Sequence, residues 1–152
     1  MIKEVQWTFS CYMDRRGHNN IHLFLKDLDK KALMDLRRAL QHLKTKPVQL
    51  WSRPQASFII NHIYVIRFKS AQGQFRLFGH HDGNTQSFVI TVPGAEKDGK
   101  YTPTNYADLA TERMAQCIAD PQRFTCRGLD PDAEWRWGAM DADGHFTPRV
   151  AK

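Results

Sequence analysis

Ile63-Tyr64-Val65-Ile66-Arg67-Phe68-Lys69, followed three residues later by Gly73-Gln74-Phe75-Arg76-Leu77-Phe78, is the stretch whose reading decides the fold. Its β-branched and aromatic residues favour a pleated, half-buried surface. Alternation places Tyr64, Ile66 and Phe68 on one face and Arg67 and Lys69 on the other. Outward from this pair, the run from Phe58 to Lys69 reads as one long strand, and Gln72-Gly73 turns it. Gln74 to His80 is the next strand, Asp82-Gly83-Asn84 is a hairpin signal, and Ser87 to Val92 follows before Pro93-Gly94 ends the run. Connections this short make neighbouring strands antiparallel.

Before this sheet, residues 2–9 alternate, with Val5, Trp7 and Phe9 on one face, as in a half-buried strand. Ile21, Phe24, Leu25 and Leu28 then change the period to that of a helix, capped by Asn19 or Asn20. A second helix runs from about Asp29 to Lys44, with Leu33, Leu36, Leu40 and Leu43 as its buried seam and Pro47 as its stop. After the sheet, Thr102-Pro103 reads as N-cap and first turn of a helix whose face is Tyr106, Leu109, Ala110, Met114 and Cys117. The expected fold is α+β: an antiparallel meander of about four strands carrying two N-terminal helices and one C-terminal helix. Residues 1–120 form the domain. Residues 121–152 read as an irregular C-terminal extension that docks through Trp135 and Trp137.

The chain has 152 residues and a net charge of +6. Between Lys30 and Arg76 stand ten lysines and arginines against one acid, Asp35, whereas residues 121–152 carry equal numbers of each sign. Such a cationic field attracts polyanions and supplies affinity for a nucleic-acid backbone irrespective of sequence. No apolar run approaches the length of a membrane helix, and the N-terminus lacks a signal peptide's apolar centre, so the expected location is the cytoplasm. Cys11, Cys117 and Cys126 suggest neither a disulfide framework nor a zinc site. The seven scattered histidines suggest no metal either, and no cofactor is expected.

The order of elements, together with the strand Ile63–Lys69, the step Gly73-Gln74-Phe75-Arg76, Lys97, and Lys100-Tyr101-Thr102-Pro103 leading into the last helix, resembles the RelE/ParE toxin superfamily. The HigB-like, phage Gp49-like branch is the nearest in pattern, and Gly17-His18-Asn19-Asn20-Ile21 resembles its opening. The likeness covers about residues 2–118. It implies a RelE-like domain and the toxin of a type II toxin–antitoxin pair, most often an endoribonuclease cutting messenger RNA on the ribosome. It also implies a cognate antitoxin, with which the chain would form a hetero-oligomer. By the same resemblance Arg76 is the recurring strand arginine, Arg67 and Lys69 are basic positions of the preceding strand, and Lys97, Lys100 and Tyr101 belong to the loop before the last helix.

Metal-free RNA cleavage uses the ribose 2′-hydroxyl as nucleophile, so the protein must hold the phosphate, offset growing negative charge and move protons. Arginine suits the charge role through its planar, permanently protonated fork. Arg76, Arg67 and Lys69 on adjacent strands can aim cations at one phosphate from a rigid platform. His80 shares the parity of Arg76 and is the candidate acid or base, ahead of its neighbour His81. Tyr101 can stack on a base. Lys97, Lys100, Arg37 and Arg38 are candidates for general RNA attraction. Two rival readings are a ParE-like toxin that binds a protein such as gyrase without cleaving RNA, and a phage-derived module that binds nucleic acid or a protein partner.

Overall fold

The structure is a computed structural model and describes residues 6–133. The expected contacts of Val5, Trp135 and Trp137 lie outside these residues. The chain runs β1 (Thr8–Tyr12), α1 (Asn20–Lys26), α2 (Lys30–Leu43), a short 3-10 turn (Val48–Leu50), β2 (Ala56–Ile60), β3 (Ile63–Ser70) and β4 (Gly73–Asp82). Then follow β5 (Ser87–Lys97), β6 (Lys100–Thr102), α3 (Tyr106–Ala119), α4 (Pro121–Phe124) and β7 (Thr125–Leu129).

All seven strands form one mixed sheet, in the order β2-β3-β4-β5-β1-β7, with β6 also on β5. This corrects the expected four-stranded antiparallel meander with one C-terminal helix. β1 lies parallel to β5, β7 lies antiparallel to β1, and α4 follows α3. Three local causes explain the difference. Asn61 and His62 both adopt positive φ (47° and 69°), which folds the expected long strand into the β2–β3 hairpin. Asparagine visits that region most easily among residues with a side chain. Pro93 does not end a strand, because β1 pairs β5 over Ser87–Ile90 and β6 pairs it over Ala95–Lys97, so Pro93 falls in the gap between them. Gly128 lets β7 approach β1, since a Cβ there would lie 1.7 Å from the Phe9 carbonyl oxygen.

Helices cover both faces. On one, Leu33, Leu36, Leu40 and Leu43 of α2 and Ile21 and Leu25 of α1 pack against Ile66, Phe68, Leu77, Phe88 and Ile90. Asn19 caps α1 by accepting the His22 N–H, and Asp29 caps α2 by accepting the Ala32 N–H. Trp7 and Trp51 join this core, and both indole N–H groups donate to the Lys46 carbonyl, at 2.8 and 2.9 Å. On the other face, Ala110, Leu109 and Met114 of α3 cover Ile63, Val65, Phe78 and Val92. The start of α3 differs from expectation. Thr102 ends β6, and Asn105 occupies the N-cap without a side-chain capping bond.

One irregularity governs which residues face α3. Phe78 pairs Val92 while Gly79 pairs Ile90, so Thr91 is an extra residue in β5 and shifts the alternation of everything after it. Thr91 is fully buried, its hydroxyl donates to the Phe78 carbonyl, and its own carbonyl accepts Arg113 Nη1 at 2.7 Å. Arg113 also lies 4.8 Å over the Tyr12 ring. Arg113→Met keeps the apolar stem and removes the donor, leaving a buried carbonyl unmet. It is expected to lower unfolding free energy by about 1–3 kcal/mol, read as a lower urea midpoint at unchanged m.

Candidate functional site

Arg67 of β3 and Arg76 of β4 are direct cross-strand partners, so two cationic side chains leave adjacent positions on the sheet face that carries α3. Like charges placed opposite one another destabilise a sheet unless something compensates them. Beside this pair runs a second row on the same face: Lys69 pairs Gln74, Gln74 pairs Glu96, and Glu96 pairs Tyr101. The residue opposite Arg76 in β5 is Gly94, and a Cβ there would lie 2.1 Å from the Thr102 carbonyl oxygen. With no side chain at that point, β6 can close up while Arg76 reaches Glu96.

Arg76 is 5% exposed and locked. Nη1 donates to the Phe75 carbonyl (2.8 Å), Nη2 to Gln74 Oε1 (3.0 Å), and Nη2 and Nε both to Glu96 Oε1 (3.2 and 3.4 Å). Arg67 is the opposite case. It is half-buried, and its Nε and Nη1 are shielded from solvent without a hydrogen-bond partner. Its charge has no bound acceptor at either atom, which is costly in a fold unless a ligand supplies one.

A groove of about 450 Å³ opens along the exposed edge of β3, lined by Asp35 and Arg38 of α2, Arg67, Lys69, Gln74 and Arg76. β2 stops short of this edge, and two groups take its place: Gln55 O accepts the Arg67 N–H (2.7 Å) and the Asp35 carboxylate accepts the Lys69 N–H (2.9 Å). Asp35 therefore ties α2 to β3 and holds Arg38 at the groove. The groove gathers four cations against one acid, with Glu96 behind Arg76 as a second.

The other expected site residues are dispersed. Arg37 is engaged elsewhere: its Nε and Gln41 Nε2 both donate to the Pro131 carbonyl at 2.9 Å, holding the segment after β7. Lys97 and Lys100 pair across the Asp98-Gly99 turn, exposed, on the sheet side away from Glu96. Tyr101 packs edge-on against Phe78 and Tyr106. His80 does share the face of Arg76, but it stands four residues along β4, roughly 13 Å away, beyond Phe78. His81 points to the other face, inside a ring of Trp7, Trp51, Tyr64 and Phe88 at centroid distances from 4.3 to 4.9 Å. Burial lowers both imidazoles to about 4, against a weak opposing pull from Asp82 on His80 and with a further push from His80 on His81. Among the described residues no group of His, Cys, Asp or Glu side chains is placed to hold a metal. Burial also pushes the Cys117 and Cys126 thiols up to about 12 and about 11, so neither is a ready nucleophile.

Glu96 is the residue that strand periodicity alone misses. Its signal was present in the Gln74–Arg76–Glu96 charge pattern, but it required β5 to continue through Pro93-Gly94 and to bulge at Thr91.

Residues 23–115 match the family described as Phage derived protein Gp49-like (DUF891). The chain belongs to that family. No curated protein and no solved structure matches it. The Gp49-like match spans every residue of the groove, together with Glu96 and Tyr101, and leaves β1, α4 and β7 outside. In this Gp49-like chain, among the described residues, no helix is long and apolar enough to cross a membrane.

The two histidines set a pH dependence. Folded, they stay neutral down to about 4; unfolded, they protonate near 6.5, so the unfolded chain binds more protons between those values. Their stabilising share is complete above about 6.5 and is lost as pH falls toward 4. Thermal midpoints at pH 5 are expected to lie below those at pH 7. His81→Phe, which preserves the aromatic packing, should flatten that slope.

Proposed function

We propose that this Gp49-like chain is the toxin of a type II toxin–antitoxin pair, an endoribonuclease that needs no cofactor and cuts messenger RNA on the ribosome. The observation that carries the reading is the Arg67–Arg76 pair, with Lys69 and Arg38, at a groove where Arg67 has donors without acceptors. The resemblance of the motif order to RelE/ParE toxins supports it.

In this scheme the 2′-oxygen forms a bond to the adjacent phosphorus while the bond from phosphorus to the 5′-oxygen breaks, leaving a 2′,3′-cyclic phosphate and a 5′-hydroxyl. Arg67 grips the non-bridging oxygens. Arg76, already held by three partners, provides a fixed positive charge toward the developing negative charge. Glu96 accepts the proton of the 2′-hydroxyl, and water supplies one to the leaving oxygen. Lys69 and Arg38 hold flanking phosphates, and Tyr101 borders the row. His80 is left out by its position. The antitoxin would cover the groove with an acidic segment, and the toxin would act in the cytoplasm.

A second reading, a nucleic-acid-binding module without cleavage, is favoured by one observation: most of Arg76's donors are occupied within the protein. Glu96→Gln separates the two. Under the nuclease reading it keeps RNA binding and lowers the cleavage rate by about 10²–10³-fold. Wild-type protein that binds RNA, leaves transcripts whole and permits normal growth when induced alone would establish the binding module instead. Under either reading Arg67→Ala weakens RNA binding and reduces the slope of log affinity against log salt by about 1.

A further inference from the structure

At the far end of the face that carries the arginines, the sheet forms a second hollow of about 670 Å³ against the C-terminal half of α3. Its chemistry is unlike that of the groove. Neither lysine nor arginine lines it, although the chain carries +6, and Asp82 is its one charged side chain apart from histidine. It offers a phosphate no permanent cation.

The sheet side of the hollow is mostly polar, with Val89 its apolar member, and the helix side is apolar. From the strands come His80, Ser10 and Ser87; from α3 come Met114, Cys117 and Ile118. The Ser10 and Ser87 hydroxyls bond each other at 2.7 Å, which leaves each with further capacity. His80 is 3% exposed, and its Nδ1 is buried with no hydrogen-bond partner. Its lowered pKa keeps it neutral at physiological pH, so it offers one donor and one acceptor and no charge. Ile118, 70% exposed, is an apolar rim with nothing over it.

We propose that this hollow binds a nucleobase: an uncharged, flat ring whose edge bonds to His80 and Ser87 and whose face lies against Met114 and Ile118. A ring of this kind needs mixed donors and acceptors on one side, an apolar wall on the other and no cation, which is the arrangement present. The site stands whether or not the groove cleaves RNA. The ring can come from a free nucleoside or from an unpaired base of an RNA strand.

The test is titration of the full chain with adenosine, guanosine, cytidine and uridine, following the His80 ring and the Ser87 amide by NMR. At least one nucleoside is expected to give saturable shifts at both. Ile118→Asp, at an exposed position that does not threaten folding, and Ser87→Ala should each weaken binding by about fivefold or more. Arg76→Ala should leave nucleoside affinity unchanged, so that failure of the cleavage reading and failure of this one stay distinct. A short oligonucleotide containing the preferred base that binds more tightly, with the same loss in Ile118→Asp, identifies RNA as the source; equal affinity identifies the free nucleoside. Absence of saturable shifts with all four, or shifts that survive both Ile118→Asp and Ser87→Ala, overturns the proposal.

Discussion

The extra residue at Thr91 is the constraint on which the site depends. In a strand, side chains alternate, so one inserted residue exchanges the two faces for everything that follows. Before the bulge, Phe88 and Ile90 face α1 and α2; after it, Val92, Gly94 and Glu96 face α3. Without the bulge, Ala95 would stand opposite Gln74 in the row now held by Glu96, and Glu96 would turn to the other face, away from Arg76. The fold secures the insertion from two directions, through the Thr91 hydroxyl to the Phe78 carbonyl and through Arg113 to the Thr91 carbonyl. Through Arg113, α3 therefore also holds the register of the strand beneath it.

That register produces two arginines of unequal character from one cross-strand pair. Arg76 is buried and paired with Glu96, so it acts as a rigid fixture. A pair of this kind contributes little to stability once both groups are removed from water, and its value lies in fixing geometry. Arg67 keeps its charge uncompensated at the edge of β3. The groove is consequently graded, from a locked cation at its back, through Arg67 with its unmet donors, to the exposed Arg38 and Lys69, with Asp35 anchoring the helix that brings Arg38.

Local signals in the sequence were legible where the fold follows them. The helical seam of α2, the cap of α1 at Asn19, one of the two candidate asparagines, and the shared face of Arg67 and Lys69 all follow from periodicity and side-chain chemistry. Three features were not legible, for different reasons. The Asn61-His62 turn lacks glycine, so its left-handed backbone is hidden within a β-rich run. Pro93 usually marks the end of a central strand, and only the gap between β1 and β6 makes it acceptable here. β7 is short and interrupted by Gly128, and its existence depends on pairing with a strand at the opposite end of the chain. Within the site, Arg38 and Arg37 are adjacent in sequence, yet the helical turn sends one to the groove and the other to the Pro131 carbonyl.

β1 is made first and is flanked on both sides by strands made much later. Its partners in β5 and β7 lie roughly 80 and 120 residues further along the chain, the long-range pairing that slows folding. The groove and Glu96, in contrast, come from α2 and a series of neighbouring hairpins between Asp35 and Tyr101. During synthesis the cationic surface can thus take shape from local contacts while Phe9 and Cys11 still await their strand partners. The groove is thus built from a continuous central stretch of the chain, and only the closing of the sheet around β1 requires β7.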